Sequence, residues 1–162
     1  MMRASAMAGE SYLQGLLDTS IVLLRKWIDP ADLPAAVAIS AITLAELSAG
    51  PHEVRPASEQ QDYEEHVERA RRLDALQRAE NEFDPIPFGV EAARAYGQVA
   101  AAVVGARRKP RRRAVDLMIA SVAIAEGLPL FTTNPADFAG LEHLLTVVAV
   151  TRPSVAPAHP LA

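Results

Sequence analysis

Four of the 20 acidic residues in this chain differ from the others in their surroundings. Asp18 ends an apolar stretch and opens Asp18-Thr19-Ser20, and Glu46 lies inside Thr43-Leu44-Ala45-Glu46-Leu47-Ser48-Ala49-Gly50. Asp116 opens the apolar run 117–125, and Asp137 follows a short apolar stretch and the Asn134-Pro135 turn. Taken singly, three of them have ordinary structural roles. Asp18 and Asp116 can cap helices, and Asp137 can serve an Asx turn or cap a short helical turn. Glu46 has no such role, because an unpaired carboxylate among Leu44, Ala45, Leu47 and Ala49 costs several kcal/mol or takes up a proton. It needs a basic side chain or a metal. Brought together, four carboxylates repel and raise one another's pKa unless a hard cation neutralises them, and magnesium or manganese suits oxygen ligands.

Whether they meet depends on the elements that carry them. Residues 12–17, 36–40, 128–132 and 144–150 read as short buried strands, and each of the first three runs directly into a helix or a turn. Helices are expected at 21–27, at 43–50 with a stop at Gly50-Pro51, and at 89–107, with a core helix through 117–125 that Gly127 ends. Residues 57–81 read as one long amphipathic helix or a pair, with Tyr63, Val67, Ala70, Leu73 and Leu76 along its apolar side. Its pairs Glu65–Arg69, Glu68–Arg72 and Asp74–Arg78 are assigned to a solvated face. The two prolines of 83–88 confine that piece to a sheet edge or a connection. Strands alternating with helices define an α/β fold, and ligands in such sheets bind beyond the strands' carboxyl ends. Asp18 and Asp137 fall there.

Composition narrows the classes further. The chain of 162 residues has no cysteine, which excludes disulfides, thiolate zinc sites and cysteine nucleophiles. His52, His66, His143 and His159 show no metal-ligand spacing and are read as surface groups. A net charge of −4 argues against a general nucleic-acid coat, yet Arg107, Arg108, Lys109, Arg111, Arg112 and Arg113 form one basic cluster. Beside an acidic centre such a cluster suits a protein that holds phosphates; alone it is a solvated loop. No secretory signal or membrane span is evident, so a cytoplasmic protein is expected. The expected organisation is an extension at 1–11, one domain at 12–150 and a flexible proline-bearing tail at 151–162.

Three segments in this order, LLDTSIVL, TLAELSAG and VDLMIASVAIAEGLPLFTTNPADF, resemble the acidic motifs of PIN-domain ribonucleases, and among them the VapC-type toxins of toxin–antitoxin pairs. The resemblance runs from Leu16 to about Val150. It implies a PIN-like three-layer α/β/α fold with a mostly parallel central sheet. It also implies a magnesium-dependent endoribonuclease, with manganese as a substitute, that leaves 5′-phosphate and 3′-hydroxyl ends. Asp18, Glu46, Asp116 and Asp137 occupy the family's acidic positions, as catalytic residues and metal ligands. Ser20 and Thr43 match its small hydroxyl positions, and Asn134 its asparagine. Arg111, Arg112 and Arg113 would contact RNA phosphates. The implied partners are an RNA of the tRNA or rRNA class, a VapB-type antitoxin and a second copy of the chain, with no membrane. Two alternatives are a PIN-like binding module without activity and, more distantly, a haloacid-dehalogenase-like phosphatase. The latter wants a second Asp where Ser20 stands.

Overall fold

In a computed structural model of the chain, which describes residues 12–54, 62–106 and 113–154, a four-stranded parallel sheet carries the fold. Its strands are β1 (Gln14–Leu17), β2 (Ala36–Ala38), β3 (Leu130–Thr132) and β4 (Val147–Ala149), in the spatial order β2-β1-β3-β4. The expected mostly parallel α/β architecture is present, and within the described residues this sheet is wholly parallel. The expected extension 1–11, residues 107–112 of the basic cluster and the tail from 155 onward lie outside the described residues.

Parallel neighbours cannot be joined by tight hairpins, so helices make the crossovers and cover both faces. They are α1 (Thr19–Leu24), α2 (Ala41–Ala49), α3 (Asp62–Glu82), α4 (Val90–Gly105) and α5 (Ala114–Glu126). Strand alternation sends Leu16 and Leu130 to one face, where they pack with Val99, Val103, Leu117 and Ile119 of the α4 and α5 layer and with Phe138 from the turn after β3. Leu17, Phe131 and Val148 point to the other face and meet Ile21, Leu24, Leu47 and Ala79. Two hydrophobic clusters thus sandwich the sheet, the three-layer arrangement the motifs imply.

Two glycines are needed where they stand. A Cβ at Gly15 would lie 2.6 Å from Phe131 Cε2 and 2.9 Å from Pro34 Cγ, so β1 can approach its neighbours only without a side chain there. Gly127 ends α5 at φ 65°, the left-handed region that glycine enters without strain.

Several sequence expectations change in detail. All four strands are shorter than their apolar runs, because the strand ends give way to caps and turns. Within the described residues, α3 is a single helix whose apolar stripe meets the core only at its later end, through Leu76 beside the buried Ala79. Val67 and Leu73 are 41% and 42% exposed, while the pairs Glu65–Arg69 and Glu68–Arg72 are part-buried. Arg69 pairs with Glu65 and also donates to Pro51 O; Arg72 pairs with Glu68 and donates to Gly50 O at 2.9 Å. These arginines satisfy carbonyls at the carboxyl end of α2, which an apolar stripe cannot do. Only Asp74–Arg78 is the solvated pair that its spacing implies. Residues 83–88 are a connection whose Ile86 bridges Ser40 in parallel, at the edge beyond β2.

Candidate active site

The strand order places a topological switch between β1 and β3: the chain leaves β1 toward β2 on one side, while β3 leads to β4 on the other. The crevice at their carboxyl ends is where Asp18 emerges. Its backbone N–H donates to Phe131 O at 3.0 Å, which locks the end of β1 to β3.

Asp18 is 6% exposed, and both of its carboxylate oxygens accept hydrogen bonds. Oδ1 accepts from Ile21 N at 3.2 Å and from Ser20 Oγ at 2.5 Å, and Oδ2 accepts from Thr132 Oγ1 at 2.5 Å. The capping role and the acidic-site position therefore coincide in one residue. Burial raises its pKa, and the bonds from Ser20, Thr132 and the backbone only partly offset that.

Glu46 is carried by α2, whose N-cap is Ser40. Thr19, the first residue of α1, donates from Oγ1 to Glu46 Oε2. Burial pushes the Glu46 carboxyl up; Thr19 works against this, and the charges of Asp18 and Glu53 add to it. The sequence motif offered no sign of Glu53.

Asp116 is not the cap of its helix, since Arg113 takes that position and Asp116 falls in the first turn of α5. The backbone bends into the helix earlier than the apolar run suggests, which turns Asp116 toward the other acids. Its pKa is pushed up to about 6, first by burial and then by Asp137, Glu46 and Asp18, with Arg113 pulling the other way.

Asp137 sits in a 3-10 turn, Pro135–Phe138, just past β3. Its N–H donates to Asn134 O within the turn, but Asn134 holds the cap position and the Asp137 side chain caps nothing; its Oδ1 instead accepts from Arg113 Nη1 at 2.8 Å. Of the three arginines expected to touch RNA, Arg113 thus lies on the rim, paired with an acid; Arg111 and Arg112 lie outside the described residues. Asn134 contributes its backbone N–H to Thr132 Oγ1 at 2.9 Å, and its side chain is exposed. Thr43 is fully buried, with Oγ1 3.2 Å from that of Thr19.

Thr19 and Thr132 are the polar residues here that the motif reading passed over. Their signal was present in Asp18-Thr19-Ser20 and Thr132-Thr133-Asn134, where hydroxyls crowd the ends of apolar strands. Thr133 Oγ1 is itself buried without a hydrogen-bond partner.

The donor set is all oxygen, and mutual repulsion reaches across Asp18, Glu46, Asp116 and Asp137. That suits the hard divalent cation the resemblance implies. Among the described residues no three Asp, Glu, His or Cys side chains already close on one ion position. A small hydrated cation is compatible with this, because magnesium binds through one or two carboxylates and keeps several waters.

The fold and this acidic crevice define a known class. Residues 16–144 match the family described as PIN domain, and the chain belongs to that family. Within it the chain is of the VapC type. It is 32% identical over 136 residues to Ribonuclease VapC5 of Mycobacterium tuberculosis, covering 82% of this chain and 91% of that protein. The crystal structure of the toxin–antitoxin complex VapBC-5 from the same organism superposes with TM-score 0.66 at 30% identity, covering 86% of this chain and 98% of the matched one. VapBC2 from Rickettsia felis, solved bound to a DNA fragment from its promoter, shares the fold at TM-score 0.58 and 21% identity, with coverage of 85% and 98%.

Proposed function

We propose that this protein is a magnesium-dependent endoribonuclease acting as the toxin of a toxin–antitoxin pair. The observation that carries the reading is the crevice itself: Asp18, Glu46, Asp116 and Asp137, far apart in the chain, lie close enough to perturb one another beside the β1–β3 switch. Carboxylates so crowded are unfavourable without a cation and useful with one. The relative named Ribonuclease VapC5 supports RNA as the substrate, and the VapBC-5 complex supports an antitoxin as the partner.

The residues divide the work. Asp18 is held rigidly by three side-chain-directed bonds and serves as the fixed ligand. Glu46 and Asp116 approach from α2 and α5 and complete the oxygen set, with Asp137 at its outer side. Magnesium, or manganese in its place, acidifies water when bound and offsets charge on the phosphodiester. In the metal-free site burial and the neighbouring acids push the Asp116 pKa up to about 6, so a proton competes there with a cation as pH falls. Arg113 sits on the rim within reach of a phosphate backbone, where such contacts position RNA without reading its sequence. Products carrying 5′-phosphate and 3′-hydroxyl ends, a target of the tRNA or rRNA class and a homodimer complete the proposal. We place the nuclease unit at 12–150. A cytoplasmic location is part of the proposal; among the described residues no helix is long and apolar enough to cross a membrane.

Purified protein incubated with RNA in magnesium, in EDTA, and as Asp116→Asn tests the reading. Cleavage is expected only for the wild type with metal, leaving 5′-phosphate ends. Metal-independent cleavage, or cyclic phosphate products, would sink it.

A further inference from the structure

Behind the acids lies a chain of buried hydroxyls that the metal site does not by itself require. Ser40, the N-cap of α2, is fully buried, and its Oγ accepts from Thr43 N at 3.1 Å. Ser40 Oγ is also 3.5 Å from Thr43 Oγ1, which is 3.2 Å from Thr19 Oγ1, and Thr19 Oγ1 bonds to Glu46 Oε2. Each hydroxyl has one proton, and an ionised carboxylate only accepts. Thr19 must therefore give its proton to Glu46 and cannot also donate to Thr43. Thr43 then donates to Thr19, and Ser40 to Thr43. The protons all run one way, Ser40 to Thr43 to Thr19 to Glu46, and bonds aligned in this way polarise one another.

The path has a geometric meaning. It starts at the cap of α2 and ends on Glu46 of the same helix, and its one outside member is Thr19 on α1. Thr19 directly follows Asp18, the acid held at the end of β1. The bond from Thr19 to Glu46 spans 27 residues of sequence and ties the second acid to the neighbour of the first. It engages Oε2 and leaves Oε1 for a cation. Without it, a glutamate side chain with three rotatable bonds has nothing among these hydroxyls to hold its carboxylate beside Asp18. Packing alone does not explain threonine here: at positions as enclosed as 19 and 43, valine has the same shape and no hydroxyl to satisfy.

We propose that Thr19 is a positioning residue that, through its hydrogen bond to Glu46 and the Ser40–Thr43 chain behind it, sets the spacing of Glu46 from Asp18 for a divalent cation. The proposal rests on the metal-dependent reading above. It predicts that the hydroxyl at position 19, and not the residue's volume, determines cation affinity.

The test compares wild type, Thr19→Val and Thr19→Ser for manganese binding by calorimetry without RNA, and for kcat and KM of RNA cleavage. Thermal melts establish that each is folded. Thr19→Val is expected to bind manganese about 10-fold or more weakly, the usual cost of losing a group that orients a ligand. Its kcat should fall while KM for RNA holds, and Thr19→Ser should recover most of both. If Thr19→Val fails to fold, Thr43→Val takes its place; it cuts the chain one hydroxyl back and should weaken manganese binding less steeply. Wild-type affinity and kcat in the folded valine variant would overturn the proposal and leave the nuclease reading standing. Equal losses in the serine and valine variants would overturn it as well. A wild-type protein that neither binds manganese nor cleaves RNA would remove the nuclease reading, and this proposal with it.

Discussion

Thr132 Oγ1 donates to Asp18 Oδ2 at 2.5 Å, a bond between residues 114 positions apart. Both groups are buried, and Thr132 is in turn oriented by the N–H of Asn134. Thr132→Val keeps the shape of β3 and strips the donor from a buried carboxylate. A stability loss of about 1–3 kcal/mol is expected from the unsatisfied oxygen, together with loss of RNA cleavage. Urea unfolding and a cleavage assay measure both. A variant as stable and active as wild type would show that Ser20 and the backbone hold Asp18 unaided.

The acids make the metal-free protein respond to pH in an unusual direction. Asp116 has a folded pKa of about 6 against an ordinary value of 3.8, and Asp18 and Glu46 are shifted the same way. Between those two values the folded state binds more protons than the unfolded chain. The contribution of these groups to stability is full below the ordinary pKa and is lost as pH rises through about 6. In EDTA, the urea midpoint should therefore fall across this window, and Asp116→Asn should flatten the decline. Magnesium should reverse it by binding only the folded carboxylates. A midpoint that climbs over the same range in wild type would contradict the burial of these acids.

Arg113 bonds to Asp137 at 2.8 Å and lowers the pKa of Asp116, so it partly neutralises the very site a cation would enter. Arg113→Ala should raise manganese affinity a few-fold in the absence of RNA. It should also weaken RNA binding and reduce the salt slope by about one, as for a single lost phosphate contact. Calorimetry with metal and a salt titration of RNA binding separate the two effects. Unchanged RNA affinity would confine Arg113 to its role beside Asp137.

Two arginines of α3 that look alike in sequence should differ in stability. Arg72 pairs with Glu68 and caps Gly50 O, and its side chain is 13% exposed; Arg78 meets Asp74 with both side chains more than half exposed. Arg72→Ala should destabilise by about 0.5–1.5 kcal/mol through the lost hydrogen bond to Gly50 O, which keeps only the Glu53 N–H. Arg78→Ala should stay within about 0.5 kcal/mol, as solvated pairs do. Equal urea midpoints for the two variants would mean that α3 docks without the Gly50 contact.

Much of the site was legible in the chain because local chemistry and position coincide. An acid at the end of an apolar strand, as at Asp18, needs no tertiary knowledge to be suspicious, and Glu46 stands out because apolar neighbours leave it no ordinary role. The fold class followed from strands alternating with helices, and the family from the order of three motifs. Periodicity places only the later part of α3: Leu76 packs on the core, but Val67 and Leu73 are exposed where Arg69 and Arg72 turn inward. It could not see that Gly50 and Pro51 present carbonyls there for Arg69 and Arg72.

What the sequence determined by itself was therefore the inventory: four acids, the strands and helices that carry them, and the hydroxyls that crowd them. Only the tertiary structure decided the pairings, Thr132 with Asp18, Thr19 with Glu46 and Arg113 with Asp137. Hydrogen bonds between residues 24 to 114 positions apart depend on strand order and helix orientation, and the sheet order β2-β1-β3-β4 brings the ends of β1 and β3 together. No local pattern of residue types encodes that adjacency, because it is set by which buried faces pack best over the whole chain.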